Sequence, residues 1–559
     1  MRTNWQVSLA AVAVMAISAP AFAASLQGVI TDDGGAPLAG AMVSAIDADL
    51  EKSITVFTNE EGKYEIEGLE GKAHNIRVRL YGKEDTISED VDVTSGKAVT
   101  IAMMPVADIN SQRTGDDLFS LVKWDSEEDK SNFKMQCAYC HQIGTIGFRS
   151  PEEPVDWETM VARMQGFGGL YEHTKTSIVE RLLEAYDTPA MEDWPEWEIP
   201  AAPAGKGADV IISEWDIGRE HNAMIHDLEP SMHDELIYTV DMIADAVATV
   251  NPKTGERKIY TVPGGKEYEV DGFPRKGPHS LEPDSKGNMW ITLALSGEMA
   301  KFDAKTKEFT IVSSAPAPRK RGMYPHTLRV DKNDVVWYTD AGTNSVFSLD
   351  PNNDNVVKEY KLLSAGQAIG SGKGESSGIT PYGISVAPDG MIWYSKLNGN
   401  RIGRIDPTKE DGDIKEWVPP YEGPRRLHVA KDGKVWVPFF GDGNFGSFDP
   451  ATGAWECFDM PRGQNEIPYA LNIHPQTGDI WVCGTGSDTL VRFEPDTQEM
   501  TEYRMPSDVT YTREVEFTDD GSVWVCNSNY PARHTERGVG SVLRIKIESN
   551  DAAAPLTGD

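Results

Sequence analysis

Cysteine is scarce in this sequence, with five residues in a chain of 559. Two of the five fall in one short motif, which leaves Cys457, Cys483 and Cys526. Three cysteines cannot all pair with one another. Cys483 and Cys526 also occupy equivalent places in two successive repeats, a placement too distant for a disulfide. We therefore expect these three cysteines to be small buried apolar residues.

Positively charged residues are also few: the sequence has 53 Lys and Arg and 88 Asp and Glu, which gives a net charge of −35. A chain with this charge should repel nucleic acid and anionic membrane surfaces, so neither is an expected partner. The acidic surface suits solubility, and it could also suit docking to a basic redox partner. The hydrophobic fraction of 39% and the charged fraction of 25% are ordinary for a soluble protein.

Long apolar runs are missing after the N-terminus, so no integral membrane segment is expected in the mature chain. Residues 1–23 have the pattern of a secretory signal. Arg2 supplies the positive charge, residues 9–17 are apolar, and Ala21-Phe22-Ala23 fits a cleavage site. An uncut N-terminal anchor is the alternative. The pattern predicts export to the periplasm and a mature chain that starts near Ala24.

Residues 24–104 alternate short apolar runs with turn signals, which predicts a small β-sandwich. The segments Pro37-Leu38-Ala39-Gly40-Ala41 and Thr58-Asn59-Glu60-Glu61-Gly62-Lys63-Tyr64 resemble the carboxypeptidase regulatory-like family. That resemblance implies a spacer or docking domain without catalysis. Residues 105–130 are polar and charged, and are expected to be a linker that passes into a helix.

The strongest motif in the chain is Cys137-Ala138-Tyr139-Cys140-His141. Two thiols and an imidazole at i, i+3 and i+4 lie on one face of a helix, where they can hold the two vinyl groups and the iron of a haem. A thioredoxin-like pair or half of a zinc site are the alternatives, but no second ligand pair lies nearby. The motif predicts one covalent haem c, with His141 as the proximal ligand, in a small α-helical cytochrome c domain over residues 131–190.

A second iron ligand is expected downstream of the motif, and methionine is the usual one in electron-transfer cytochromes. The candidates are Met160, Met164 and Met191. The helical segment with Trp157, Val161 and Met164 resembles small mono-haem cytochrome c domains, and that resemblance implies Met164 as the distal ligand. Residues 191–207, rich in Pro and Trp, are expected to form a stiff linker.

The rest of the chain repeats an inner-strand segment seven times, followed by a turn and an aromatic strand. The repeats begin at Ile225, Pro278, Pro325, Pro381, Pro424, Pro468 and Thr512. Their spacing predicts a seven-bladed β-propeller over residues 208–547, with eight blades as the alternative and a disordered tail at 548–559. The last repeat lacks an outer strand, which residues 210–215 are expected to supply. The fold class is therefore a mainly β, multidomain protein.

Two repeat phrases, Tyr382-Gly383-Ile384-Ser385-Val386-Ala387-Pro388-Asp389-Gly390 and Asn400-Arg401-Ile402-Gly403-Arg404-Ile405-Asp406-Pro407, resemble the virginiamycin B lyase (streptogramin lyase) family. The resemblance covers only the propeller. It implies elimination of a cyclic ester, with magnesium and a histidine base. It indicates the fold more than the activity, because propellers host many chemistries.

The second residue of each inner strand is expected to face the mouth of the central channel. These residues are His226, His279, His326, Tyr382, Arg425, Tyr469 and Arg513. The three histidines could hold a second metal, such as Fe, Cu or Mg, or one could act as a base while arginines stabilise an oxyanion. Water-satisfied polar groups are the alternative. Glu229 and Glu282, three residues further along their strands, are expected on the opposite face in structural roles.

The fusion of a haem motif to a channel site favours an oxidoreductase. In that interpretation the propeller binds a small organic substrate and exchanges electrons with the haem, and a periplasmic redox partner exchanges electrons with the protein. A lyase that eliminates across a C–O bond, with an accessory haem domain, is the first alternative. A non-enzymatic electron-transfer protein is the second.

Overall fold

The structure is a computed structural model. It describes residues 24–47, 49, 51–70, 73–139, 141–143, 156–166, 175–187, 191–218, 223–231, 233–267, 272–363, 380–528, 530 and 538–548. The predicted signal segment, Cys140 of the motif and tail residues 549–559 lie outside these ranges.

The N-terminal region is a β domain of two sheets. Its strands are β1 (Ala24–Asp32), β2 (Met42–Asp47), β3 (Lys52–Phe57), β4 (Lys63–Leu69), β5 (Ala73–Arg79), β6 (Thr86–Asp92) and β7 (Val99–Met103). One sheet has the order β4-β1-β7, and β3-β2-β5-β6 belong to the other. Alternate residues of β4 are buried, as expected for a strand with one face on a core. That core includes Ile30, Val43, Ile66 and Ile76.

The described residues of the next region contain four α-helices. They are α1 (Gly115–Ser120), α2 (Glu127–Cys137), α3 (Trp157–Gly166) and α4 (Lys175–Tyr186). The Ser126 side chain accepts a hydrogen bond from the Asp129 backbone N–H, and three acidic residues occupy the first turn of α2, both of which stabilise a helix N-terminus. The helices share an apolar core that includes Phe119, Phe133 and Trp157, and Cys137 packs against it. The stretch expected to be a linker thus contains α1 and the start of α2.

Among the described residues of the C-terminal region, seven sheets form the propeller, one for each of the seven repeats. The first three are β9 (Ile225–Pro230), β10 (Ile237–Asp241), β11 (Ala246–Val250) and β12 (Arg257–Thr261); β13 (Pro278–Pro283), β14 (Met289–Leu293), β15 (Glu298–Phe302) and β16 (Phe309–Val312); and β17 (Pro325–Val330), β18 (Val336–Asp340), β19 (Ser345–Asp350) and β20 (Val356–Lys361). The next three are β21 (Pro381–Val386), β22 (Ile392–Lys396), β23 (Arg401–Ile405) and β24 (Lys415–Trp417); β25 (His428–Val429), β26 (Val435–Phe439), β27 (Asn444–Asp449) and β28 (Ala454–Asp459); and β29 (Pro468–Ile473), β30 (Ile480–Gly484), β31 (Thr489–Glu494) and β32 (Glu499–Arg504).

The seventh blade joins the two ends of the propeller. It contains β33 (Thr512–Phe517), β34 (Val523–Asn527) and β35 (Ser541–Ile547), and its outer strand is β8 (Val210–Asp216). Strand β8 pairs antiparallel with β35 from Asp216 opposite Ser541 to Val210 opposite Ile547. The predicted closing strand is therefore confirmed, and closure removes the exposed edges of an open propeller.

The other edge of β8 pairs with β3 of the N-terminal domain, which the sequence did not predict. The result is one eight-stranded sheet with the order β33-β34-β35-β8-β3-β2-β5-β6. Arg77 and Arg79 also donate hydrogen bonds to the Pro506 carbonyl of the propeller, at 2.9 and 3.0 Å. A continuous sheet thus fixes the N-terminal domain on the seventh blade. Across the described residues, no helix is both long and apolar enough to span a membrane.

Closure of the seventh blade depends on Trp215, which is fully buried and stacks on Trp524 with ring centroids 5.6 Å apart. We expect Trp215→Ala to lower the free energy of unfolding by about 3–5 kcal/mol, because it leaves a cavity where the strand seals the ring. Chemical denaturation followed by circular dichroism measures this loss. Ile259→Ala, on the exposed outer strand β12, is the control and should change stability little. Equal effects of the two substitutions would contradict the closing role of Trp215.

Candidate functional site: a ring of histidine, tyrosine and arginine at the channel mouth

The structure brings all seven predicted channel residues together in one buried ring. Each follows the first residue of its blade's inner-strand segment, and none is more than 4% exposed. A β-bulge lies near the start of the inner strand. In blade two, for example, Pro278 pairs with Leu293 while Leu281 pairs with Ile291. The extra residue directs the ring side chain to the channel while the rest of the strand keeps its pairing.

Blades one to three supply the histidine half of the ring. The rings of His226 and His279 lie 3.6 Å apart between centroids, and those of His279 and His326 lie 4.0 Å apart. His226 Nδ1 pairs with Asp227 Oδ1 at 2.8 Å, and His326 Nδ1 with Thr327 Oγ1 at 2.9 Å. His279 Nδ1 is buried and has no hydrogen-bond partner among the described residues.

All three imidazoles are held in the neutral form. Burial is the largest cause that lowers the pKa of His226, His279 and His326 well below the usual histidine value, and nearby arginine charges and neighbouring imidazoles add to it. A neutral imidazole has one ring nitrogen that donates a hydrogen bond and one that accepts a hydrogen bond. This half of the ring can therefore bind polar groups without adding charge.

Blades four to seven supply the tyrosine and arginine half. Tyr382 Oη and Tyr469 Oη lie 2.7 Å apart, Arg425 Nη2 donates to Tyr382 Oη at 2.7 Å, and Arg513 Nη1 donates to Tyr469 Oη at 3.1 Å. The Arg425 guanidinium also stacks on aromatic rings, 3.4 Å from the Tyr469 centroid and 4.0 Å from that of Phe440. The Tyr382 ring lies 4.0 Å from His326, so the two halves are continuous.

The two phenols of this half differ in acidity. Burial raises the pKa of Tyr382 well above its usual value. Burial acts in the same direction on Tyr469, but the charges of Arg425, Arg513 and Arg426 outweigh it and lower its pKa. Tyr469 is therefore the group in the ring best placed to exist as a phenolate and to accept a proton.

The predicted second metal needs ligands that converge on one point. Within the part of the chain that the structure describes, no three His, Cys, Asp or Glu side chains form a group that could hold a metal ion. The Fe, Cu or Mg site at His226, His279 and His326 stays a prediction, and the proposals below do not depend on it.

The segment around the Cys137 motif packs directly on this ring. The Tyr139 ring lies 5.4 Å from the Arg425 guanidinium, and Tyr139 Oη donates to Asn398 Oδ1 at 2.9 Å. Tyr511 Oη donates to the Ala138 carbonyl, and Arg513 Nη1 lies 3.3 Å from the Tyr139 carbonyl. These contacts place the motif at the channel mouth.

Further contacts anchor the same segment over blades four to seven. Lys134 Nζ donates to the Glu466 carbonyl at 3.0 Å, and Gln142 Nε2 donates to Asp488 Oδ1 at 2.8 Å and to the Thr510 carbonyl at 2.9 Å. Ser131 Oγ donates to the Gly441 carbonyl at 3.2 Å. The described contacts of this segment thus lie on the tyrosine and arginine half, away from the blades that carry the histidines.

The predicted haem residues lie in or beside the helices. Cys137 ends α2, and His141 Nδ1 donates to the Gln142 carbonyl at 2.7 Å. Burial lowers the pKa of His141, so its ring is neutral. Met164 lies on α3 and is half-buried, as are Met160 and Met191. Its role as distal ligand stays a prediction.

The expectation that Glu229 and Glu282 lie on the face opposite the ring is wrong. Both belong to a deeper layer of the channel, where Arg329 lies 3.6 Å from Glu282, 3.7 Å from Glu514, and 3.1 Å from His428 Nε2 across the channel. The bulge adds one residue between the ring position and these glutamates, so strict alternation assigned them to the wrong face. Burial raises the pKa of Glu282 to about 7 and that of Glu229 well above its usual value.

Sequence reasoning also missed two residues that hold the site. Arg426, between the two layers, pairs with Asp227 at 2.8 Å and with Glu514, so its charge is balanced. Tyr139 bridges the motif and the ring. Arg426 could have been found from its place beside Arg425 in an inner-strand segment. Tyr139 could not, because it occupies one of the two unspecified positions between the cysteines of the motif.

Comparison with known proteins supports the assignment of both β regions. Residues 373–555 match the virginiamycin B lyase family, and residues 25–104 match the carboxypeptidase regulatory-like domain. The C-terminal region thus has a virginiamycin B lyase-like propeller fold. Neither match covers the helical region.

Individual relatives are enzymes. Virginiamycin B lyase of Nocardia farcinica is 25% identical over 227 residues, 37% of this chain and 71% of the relative. Peptidylglycine alpha-amidating monooxygenase of Rattus norvegicus is 25% identical over 177 residues, 31% of this chain and 14% of the relative. A solved structure of virginiamycin B lyase from Staphylococcus aureus is 17% identical, with a TM-score of 0.48, and the match covers 60% of this chain and 98% of that one.

The acidity of Tyr469 can be measured directly. We expect one tyrosine to ionise below the usual value of about 10, and its signal to be lost in Tyr469→Phe. Arg425→Gln should raise that pKa, because it removes a cation that stabilises the phenolate. Nuclear magnetic resonance of ¹³Cζ-labelled tyrosine over a pH series follows each phenol. Tyr64, whose pKa burial raises to about 12, is the internal control. Titration of Tyr469 at or above 10 would contradict the electrostatic description of the ring.

Proposed function

We propose that the protein is an exported c-type cytochrome oxidoreductase, in which the propeller mouth binds a small organic substrate beside a covalently attached haem. The observation that carries this proposal is the packing of the Cys137 motif against the ring, through Tyr139, Arg425 and Arg513. A cytochrome that served only as a separate docking module would have no need of contacts with the channel residues. The acidic surface would suit a basic periplasmic redox partner.

The residues present fit haem c. Cys137 and Cys140 would form the thioether bonds and His141 would bind the iron through Nε2. A ligating histidine ordinarily donates its other ring N–H to a carbonyl or carboxylate, and the His141 bond to the Gln142 carbonyl has that form. The pKa of His141, lowered by burial, keeps the imidazole in the neutral state that a ligand requires. When bound, the haem supplies one-electron transfer.

The ring residues form hydrogen bonds to the substrate and accept a proton from it. The neutral imidazoles of His226, His279 and His326 offer hydrogen bonds to polar groups of the substrate. Tyr469, with its lowered pKa, accepts a proton, and Tyr382 donates a hydrogen bond to its oxygen. Arg425 and Arg513 stabilise the negative charge that develops there.

The acidic Tyr469 also favours a second candidate, a lyase that eliminates across a C–O bond with Tyr469 or a histidine as base. Both named relatives are enzymes, and one is a lyase of the same propeller family. The two candidates differ in one respect. Turnover by the lyase would be independent of the oxidation state of the haem, whereas turnover by the oxidoreductase would change it.

Haem attachment tests the first element of the proposal. We expect the chain, when exported in a host that matures c-type cytochromes, to gain the mass of one haem. Cys137→Ser should weaken or abolish this attachment, because it removes one of the two thioether bonds. Intact-protein mass spectrometry and the visible spectrum measure it. Cys457→Ser removes a half-buried cysteine outside the motif and should leave attachment unchanged. A wild-type chain without haem would refute the proposal.

The position of the haem beside the ring gives a second test. Arg513 is close enough to His141 to affect its pKa, and a nearby cation favours the reduced, less positive iron. We expect Arg513→Gln to lower the haem midpoint potential, measured by spectroelectrochemical titration. Arg319→Gln, which removes a half-exposed cation of the third blade, is the control and should leave the potential unchanged. Equal potentials in all three proteins would contradict a haem beside the ring.

A further inference from the structure

We propose that the substrate of the channel mouth is an organic carboxylate, and that Arg425 binds its anionic group. This inference rests on the proposed function, because it names the class of molecule that the site would take. It is carried by the state of the Arg425 side chain and by the polar and apolar side chains around His279.

Arg425 is a fully buried cation that no described carboxylate side chain pairs with. Its exposed fraction is 0%, and among the described residues no carboxylate lies within ion-pair distance of it. Arg426 beside it, equally buried, pairs with both Asp227 and Glu514. A buried charge ordinarily has such a partner, because its desolvation is costly.

The donors of Arg425 are also incompletely used. Nη2 donates to Tyr382 Oη, while Nε and Nη1 are buried and have no hydrogen-bond partner among the described residues. Tyr469 presents its ring face to the guanidinium, whereas its oxygen accepts from Arg513. A planar guanidinium binds a carboxylate through two parallel hydrogen bonds. A substrate carboxylate would therefore supply both the missing charge and the missing acceptors.

The histidine half of the ring indicates the rest of the molecule. His279 Nδ1 is buried and has no hydrogen-bond partner among the described residues, so it offers one further polar contact. Met224, Met242 and Ile243 form an apolar cluster with Tyr324, whose ring lies 6.0 Å from that of His279. These surroundings suit an apolar or aromatic body attached to the carboxylate.

Binding of benzoate to the haem-loaded full chain, measured by isothermal titration calorimetry, tests the inference. We expect benzoate to bind at least about tenfold more tightly than benzamide, its neutral isostere. Arg425→Gln should weaken benzoate binding at least about tenfold, while Arg425→Lys keeps the charge and should retain part of the affinity. Arg319→Gln is the control and should bind as the wild type does.

Equal binding of benzoate and benzamide, no benzoate binding, or unchanged affinity in Arg425→Gln would each overturn the inference. The comparison of the two ligands on the wild-type chain needs no variant, so it decides the matter even where Arg425→Gln does not fold. Selective benzoate binding by a chain that attaches no haem would refute the proposed function and leave this inference standing. Haem attachment without benzoate binding would refute this inference and leave the proposed function standing.

Discussion

The buried guanidinium of Arg425 is the contact on which the arrangement of the site depends. Its aromatic neighbours come from two parts of the chain: Tyr139 belongs to the Cys137 motif, while Tyr382, Tyr469 and Phe440 belong to the propeller. A cation packed between aromatic faces in a dry environment gains more from those contacts than it would at a surface. The same side chain therefore holds the motif on the channel and lowers the pKa of Tyr469.

The rest of the fold makes that contact rigid. Strand β8 seals the propeller on one edge and continues into the N-terminal domain on the other, so the segment that leads from the helices into the propeller is fixed by sheet hydrogen bonds. The helices pack around their own apolar core, and the segment from α2 to His141 docks on the propeller through Lys134 in α2 and Gln142 after His141. The ring therefore has two halves, with the tyrosines and arginines under the motif and the histidines on the other blades.

Much of this architecture could be predicted from the sequence. The spacing of the repeated inner-strand segments predicted seven blades and all seven ring positions, because each blade repeats one hydrophobic pattern. The missing strand of the last repeat predicted the closing role of β8. The pairing of β8 with β3 could not be predicted, since edge pairing uses backbone groups that every sequence has. Glu282 was assigned to the wrong face because a bulge has no reliable signal in a single sequence.

The central claim is that the haem motif lies on the channel ring in the mature protein, and an experimental structure of the haem-loaded chain tests it most directly. The measurement is the separation between the Tyr139 ring and the Arg425 guanidinium. The account predicts that they remain in contact, near the present 5.4 Å, with the haem on the side of blades four to seven. A haem-loaded helical region that lies elsewhere, with Tyr139 away from Arg425, would contradict it.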